Sequence, residues 1–319
     1  MMRLWLLLLL PGWLSGAYWV LDGDFDLGVG WRRDAFDWNI GMVGGPDVLS
    51  ELEWKNIDMV QYAARGEVTL LSTFMVRGDA EYGKIFNGVN IDSDYLGKNR
   101  TKLFSRSRNA ANKGEAFDFS VGGGIQYNLL CGVLSFTPLL GYSYHEQHLR
   151  LFRGFQEVRF RVETDGLGEP GELGSFEGLH SNYRTKWWSP WIGLDGHLWV
   201  GSYIEVFAGA EYHFSHMSGT GHWNLRKEFV GDFEHDAKGH GLVARAGLTS
   251  CFCEGFRAGV RGEWRYFWAN NGVEKNLVKL GKETDENWVG PPIICQIRMP
   301  LQDVNWHSWR IEAFVGLSF

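Results

Sequence analysis

Asp92 and Asp94 stand two residues apart in the stretch Val89-Asn90-Ile91-Asp92-Ser93-Asp94-Tyr95-Leu96. In an extended segment both carboxylates leave the same face, side by side. Two acids so placed can share a proton or polarise one water, which is how paired carboxylates do general-base work. The same spacing on an acidic loop only keeps a surface wet, and for an isolated Asp-x-Asp that is the commoner case. What decides between the two is the element that carries the pair.

Met1 to Ala17 reads as a secretory signal. Arg3 is a minimal positive start, Leu4 to Leu10 an unbroken apolar run, and Ser15-Gly16-Ala17 offers small residues for cleavage after Ala17. The run is shorter than the roughly 20 apolar residues that a spanning helix needs, and no later stretch comes close. The mature chain, 18–319, is therefore expected to be exported as one unit. A net charge of −7 argues against a nucleic-acid partner. The four cysteines, Cys131, Cys251, Cys253 and Cys295, have no C-x-x-C spacing that suggests zinc, and no metal is expected.

The recurrent signal is period-two alternation. Phe256, Ala258, Val260, Gly262, Trp264, Tyr266 and Trp268 interleave with Arg257, Gly259, Arg261, Glu263 and Arg265. The pattern returns from Phe25 to Trp31, Phe117 to Tyr127, Ile192 to Leu198 and Trp309 to Phe319. Charges on the second face of strand after strand need a polar interior. A closed antiparallel barrel in a membrane supplies one, with apolar residues towards lipid and every backbone group paired. The expected fold is all-β: a transmembrane, antiparallel, up-and-down β-barrel of about ten strands with long extracellular loops. Strands are expected to start near residues 20, 49, 72, 115, 133, 181, 203, 239, 256 and 305. Short connections such as Gly201-Ser202 read as periplasmic turns. Longer ones, Gly166 to His180 and Lys275 to Val304, read as extracellular loops. Bacterial outer membrane is the expected location, with the loops at the cell surface.

On these residues the chain resembles the omptins, ten-stranded outer-membrane proteases of Gram-negative bacteria. Ser50-Glu51-Leu52-Glu53-Trp54-Lys55 is similar to the omptin Ser-x-Leu-Asp-Trp-Lys strand. From Trp54 the match runs without a gap to Asp92 and Asp94, which fall on the family's Asp-x-Asp pair. Ser189-Pro190-Trp191-Ile192-Gly193-Leu194 and the closing Gly316-Leu317-Ser318-Phe319 also resemble omptin segments. The resemblance implies two dyads facing each other across the barrel mouth, Asp-Asp and Asp-His, with an activated water between them. Its best match for the second dyad is Thr220-Gly221-His222-Trp223, which makes His222 the expected histidine and puts Thr220 in place of the acid. Asp232 or Asp236 in the following loop could supply the missing charge. A second alignment uses Asp232-Phe233-Glu234-His235 but shortens the next strand too much. Strand parity runs against His222 unless a bulge near Gly219 or Gly221 turns it inward.

The family's acidic substrate-binding positions are absent: Met42 and Val43 stand where it has a Glu pair, and Ser218 where it has another acid. No cofactor is implied beyond the lipopolysaccharide that omptins need for activity. Lys186 matches one lipid-gripping position. Expected partners are outer-membrane lipid and an extracellular peptide or host protein. Two functions follow. One is an endopeptidase using Asp92, Asp94 and His222. The alternative is a non-proteolytic barrel, an adhesin or structural protein on the same scaffold; a passive porin is a weaker third.

Overall fold

The computed structural model describes residues 21–160, 172–253, 255–280 and 290–319. The expected signal segment, 1–17, lies outside them, as do residues 166–171 of the expected Gly166 to His180 loop, whose described part carries a short strand. Ten long strands form a closed antiparallel ring. They are β1 (Leu21–Ile40), β2 (Ser50–Leu70), β3 (Phe74–Tyr95), β4 (Leu103–Ile125), β6 (Leu134–Arg159), β8 (Asn182–Val200), β9 (Ile204–His222), β10 (Phe233–Cys253), β11 (Phe256–Leu280) and β12 (Ile293–Ser318). Two three-residue strands, β5 (Tyr127–Leu129) and β7 (Gly174–Phe176), pair with β6. Each long strand pairs with its sequence neighbours in the ring. Closure comes from β1 on β12, in register from Asp24↔Ser318 to Ile40↔Leu301. Such a ring leaves no sheet edge, which is what lets strands cross lipid.

Connections at one end are short: 71–73, 130–133, 201–203 and 254–255. At the other end they are longer. Three strands reach further towards this long-loop end than the alternation implied. They start at Leu103, Phe233 and Ile293 rather than near 115, 239 and 305, and β11 runs on to Leu280. Of the expected loop from Lys275 to Val304, residues 275–280 and 293–304 are strand, and 281–289 lie outside the described residues. The cause is chemical: above the lipid belt the outer face turns polar, so one of the two alternating signals disappears while the ladder continues.

That belt is plain on the outer wall. Leu27, Val29, Tyr62, Val76, Phe119, Ile192, Val260 and Ile311 are all exposed there. Aromatic pairs mark its upper border, such as Trp31 edge-on to Trp309 at 4.4 Å between ring centroids, as membrane interfaces favour.

The lumen is packed. Towards the short-turn end, buried arginines and acids interlock: Arg310 reaches Glu81, Glu263 and Glu312, and Arg265 reaches Glu81 and Asp118. Each buried charge has several opposite partners, which offsets its desolvation. Towards the long-loop end the filling becomes aromatic. Trp54 of β2 stacks on Tyr183 of β8 at 5.5 Å, although these strands are not neighbours in the ring. Phe233 and Trp38 complete this layer, and all four side chains are at most 2% exposed. Gly219 and Gly221 of β9 make the space: a Cβ would stand 2.1 Å from the Tyr183 hydroxyl at the first and 2.1 Å from the Phe233 ring at the second.

Candidate functional site

Asp92 and Asp94 sit at the long-loop mouth, and a bulge turns them inward. Along β3, Met75, Arg77, Asp79, Glu81, Gly83 and Ile85 are buried in alternation. Phe86 and Asn87 are then both exposed, and Gly88 and Asn90 are buried. The extra residue switches parity, and the facing strand shifts register between Lys55 and Met59. Asp92 pairs with Leu52 and Asn90 with Trp54, both members of the lumen core, so the acids share that inner face. Without the bulge both would point at the outside. The mouth lies well beyond the lipid belt, which on β3 ends around Tyr82 and Lys84.

Electrostatics at the pair follow from this position. Burial, and next the neighbouring Asp94 charge, push the Asp92 carboxyl up to about 7, while Arg226 works in the opposite direction. The Asp94 carboxyl is also raised by burial, offset by Arg226 and by hydrogen bonds from Ser50 and Ser105. Oδ1 of Asp92 is buried without a hydrogen-bond partner. Arg226, from the β9–β10 connection, brings Nη2 to 3.9 Å from Asp94 Oδ2 and Nη1 to 3.3 Å from Glu228. Asp92 can therefore keep its proton near neutrality beside the Asp94 carboxyl.

His222 is elsewhere. The β9 ladders run without a register shift from Ile204 to Gly221 on the β10 side and to His222 on the β8 side. No bulge turns the strand near Gly219 or Gly221, and those glycines take the inward positions. His222 faces outward and is half exposed, with Nδ1 2.9 Å from Asp232. The expected opposition of His222 to the acid pair across the lumen is therefore absent. Asp232 does provide an acid for this histidine, but outside the wall. Thr220 is exposed on the same outer face, and Asp236 meets His216 there at 3.2 Å. Ser218 faces outward, in register with Lys186 and Asp236, and Met42 and Val43 are exposed in the first loop. Lys186 projects from the outer wall between Glu146 and Ser218, next to the Arg184–Glu146 ion pair.

The inward histidine at this end is His235, from the alignment ranked second. Its Nδ1 accepts from the Tyr183 hydroxyl at 2.9 Å, and its Nε2 donates to Glu274 at 2.6 Å. Trp38 covers it edge-on at 4.7 Å. Both ring nitrogens are occupied and the ring is buried, so neither nitrogen is offered to a substrate water. Arg226, Glu274 and Tyr183 carried no sequence signal, because loop and lumen partners meet only through ring closure. Among the described residues no group of acids, histidines or cysteines is arranged to hold a metal ion, and Cys131, Cys251 and Cys295 are free thiols.

A family model described as Pom, Protochlamydia outer membrane protein, matches residues 26–319. No curated protein matches the chain. Among solved structures, the chain is similar to the outer membrane protease OmpT from Escherichia coli. The TM-score is 0.70 at 14% identity, covering 93% of this chain and 96% of that one. A second similar structure is the translocator domain of the autotransporter NalP from Neisseria meningitidis, with TM-score 0.34 and 11% identity over 93% and 88% of the two chains. The likeness to OmpT is one of fold, and with the family match it assigns the chain to the outer membrane.

Proposed function

The chain belongs to the Protochlamydia outer membrane protein family, and from that premise we propose that it is a sealed, non-proteolytic structural barrel of the outer membrane. One observation carries this reading: Trp38, Trp54, Tyr183 and Phe233 fill the lumen directly beneath the acid pair. A peptidase of the two-dyad kind needs an open cleft there, and a porin needs an open bore. Arg226 meanwhile lies against Asp94, where a substrate water would have to be held. The outward Lys186 and Arg184, just above the aromatic border of Tyr144 and Trp188, suit contact with anionic lipid headgroups such as those of lipopolysaccharide.

The test is to refold the chain with lipopolysaccharide, verify a heat-modifiable barrel, and measure planar-bilayer conductance and cleavage of a mixed peptide library. No conductance and no cleavage are expected. Steady channels would replace this reading with a porin. A second reading, an endopeptidase using Asp92 and Asp94, draws on the inward placement of that pair and the raised Asp92 carboxyl. Library cleavage lost in Asp92→Ala would establish it, and parallel loss in His222→Ala would add that outer histidine to its machinery.

A further inference from the structure

The ring leaves no sheet edge within the membrane, but its extension at the long-loop end leaves one. β11 and β12 run on together as a ladder as far as Leu280↔Ile293. β1 does not follow them: its last partner on β12 is Leu301, and beyond it Gly41 N–H donates to the Pro300 carbonyl at 2.9 Å. Residues 293–299 therefore have a strand on one side and, among the described residues, none on the other. The far side of the same extension shows what such a position accepts. There the β9–β10 connection adds to β11 as a short strand: Val230 N–H donates to the Leu277 carbonyl and Lys279 N–H to the Glu228 carbonyl, both at 2.7 Å. Under that cover Asn276 and Val278 of β11 are buried. On β12, where the next place is vacant, Ile293, Ile294 and Ile297 are 48%, 59% and 38% exposed. We infer that the open side of residues 293–299 is a docking edge for an extended segment of another protein outside the cell, taken up as an added strand with apolar residues against these isoleucines and a carboxylate beside Arg298.

Backbone groups supply the attraction in such an addition, and side chains select the partner. The edge is not blunted in the usual way: Arg298 is the one charge from 293 to 299, and proline comes only at 300. Charge then names the occupant. Glu234, Lys275 and Arg298 stand in one cross-strand row. Lys275 and Arg298 are like charges directly opposite each other, which disfavours the pair unless an acid joins it. Neither makes an ion pair among the described residues, so the vacant fourth place in the row suits a carboxylate. A second copy of the chain does not supply one. Two barrels in one membrane are related by an axis along its normal, so their edges meet in parallel and bring Arg298 towards its own counterpart. The edge lies apart from the lumen and its plug, and its role is independent of cleavage or conductance.

Fluorescence anisotropy of the refolded full chain with a labelled heptapeptide alternating valine and glutamate reads the edge directly. Binding is expected, about fivefold tighter than for the same peptide with lysine in place of glutamate, and lost when the peptide's backbone amides are N-methylated. Arg298→Glu is expected to reverse the preference between the two peptides, and the double variant Ile294→Lys, Ile297→Lys to abolish binding, both with normal heat modifiability. No binding of the glutamate peptide by a heat-modifiable native barrel overturns the inference. So does binding that survives N-methylation or keeps its preference in Arg298→Glu. Light scattering that finds a dimer of the native chain, dissociated by Ile294→Lys, assigns the edge to a second copy and overturns it as well.

Discussion

The Tyr183 hydroxyl lies 2.9 Å from Nδ1 of His235, joining β8 to β10 through the inside of the barrel with only Gly219 of β9 between them. The bond fixes the histidine's other nitrogen on Glu274 and so settles the tautomer in the middle of an aromatic layer. Tyr183→Phe preserves the ring stack and removes only the hydroxyl. It leaves a buried acceptor unpaired, so unfolding in denaturant should show a loss of about 1–3 kcal/mol.

Truncation of the plug should separate sealing from folding. Trp54 is fully buried and contacts Tyr183 and Phe36. Trp54→Ala is expected to cost about 3–5 kcal/mol and to raise planar-bilayer conductance above that of the native chain. A variant that folds normally yet stays equally tight would show that the seal lies in another layer.

The charged layer predicts a different response. Glu81 faces Arg265 at 2.8 Å and also Arg310, and all three are buried. Glu81→Gln keeps the volume but leaves cationic partners under-compensated, so about 3–5 kcal/mol should be lost. Double variants with Arg310→Met should recover part of it, read as a positive coupling in a double-mutant cycle.

Stability should also depend on pH through Asp92. Its carboxyl is held at about 7 in the folded chain, against an ordinary carboxyl value of 3.8. The folded state therefore keeps a proton that the unfolded state has released. That contribution is fully present below the ordinary value and is lost as pH rises through about 7. Unfolding free energies measured across this window should fall with rising pH, and Asp92→Asn should flatten that part of the profile.

The ring was legible in the sequence because lipid and lumen impose opposite demands on alternate residues. Strands starting at Leu21, Ser50, Leu134, Ile204 and Phe256 are found where short turns and alternation put them. Above the lipid belt one demand lapses, which is why the early parts of β4, β10 and β12 were hidden. The site was half legible. The Asp-x-Asp spacing singled out the pair, but its inward aim depends on an extra residue around Phe86 and Asn87 that alternation alone cannot reveal. For His222 the same counting worked against the motif: an unbroken β9 ladder keeps it outside. Local chemistry named the residue types, and one bulge present on β3 and absent from β9 decided which of them share the mouth.

The seam between β1 and β12 has a consequence for how the molecule is made. Asp24 is paired with Ser318, so the ladder that closes the ring joins the first strand of the barrel to the last. Loop closure over that separation is entropically costly and contributes to slow folding. Until β12 arrives, β1 and β11 each present an open edge with nothing to satisfy it in lipid. Chains lacking the final strand should therefore fail to accumulate as inserted intermediates, and delivery of the last strand becomes the commitment step of assembly.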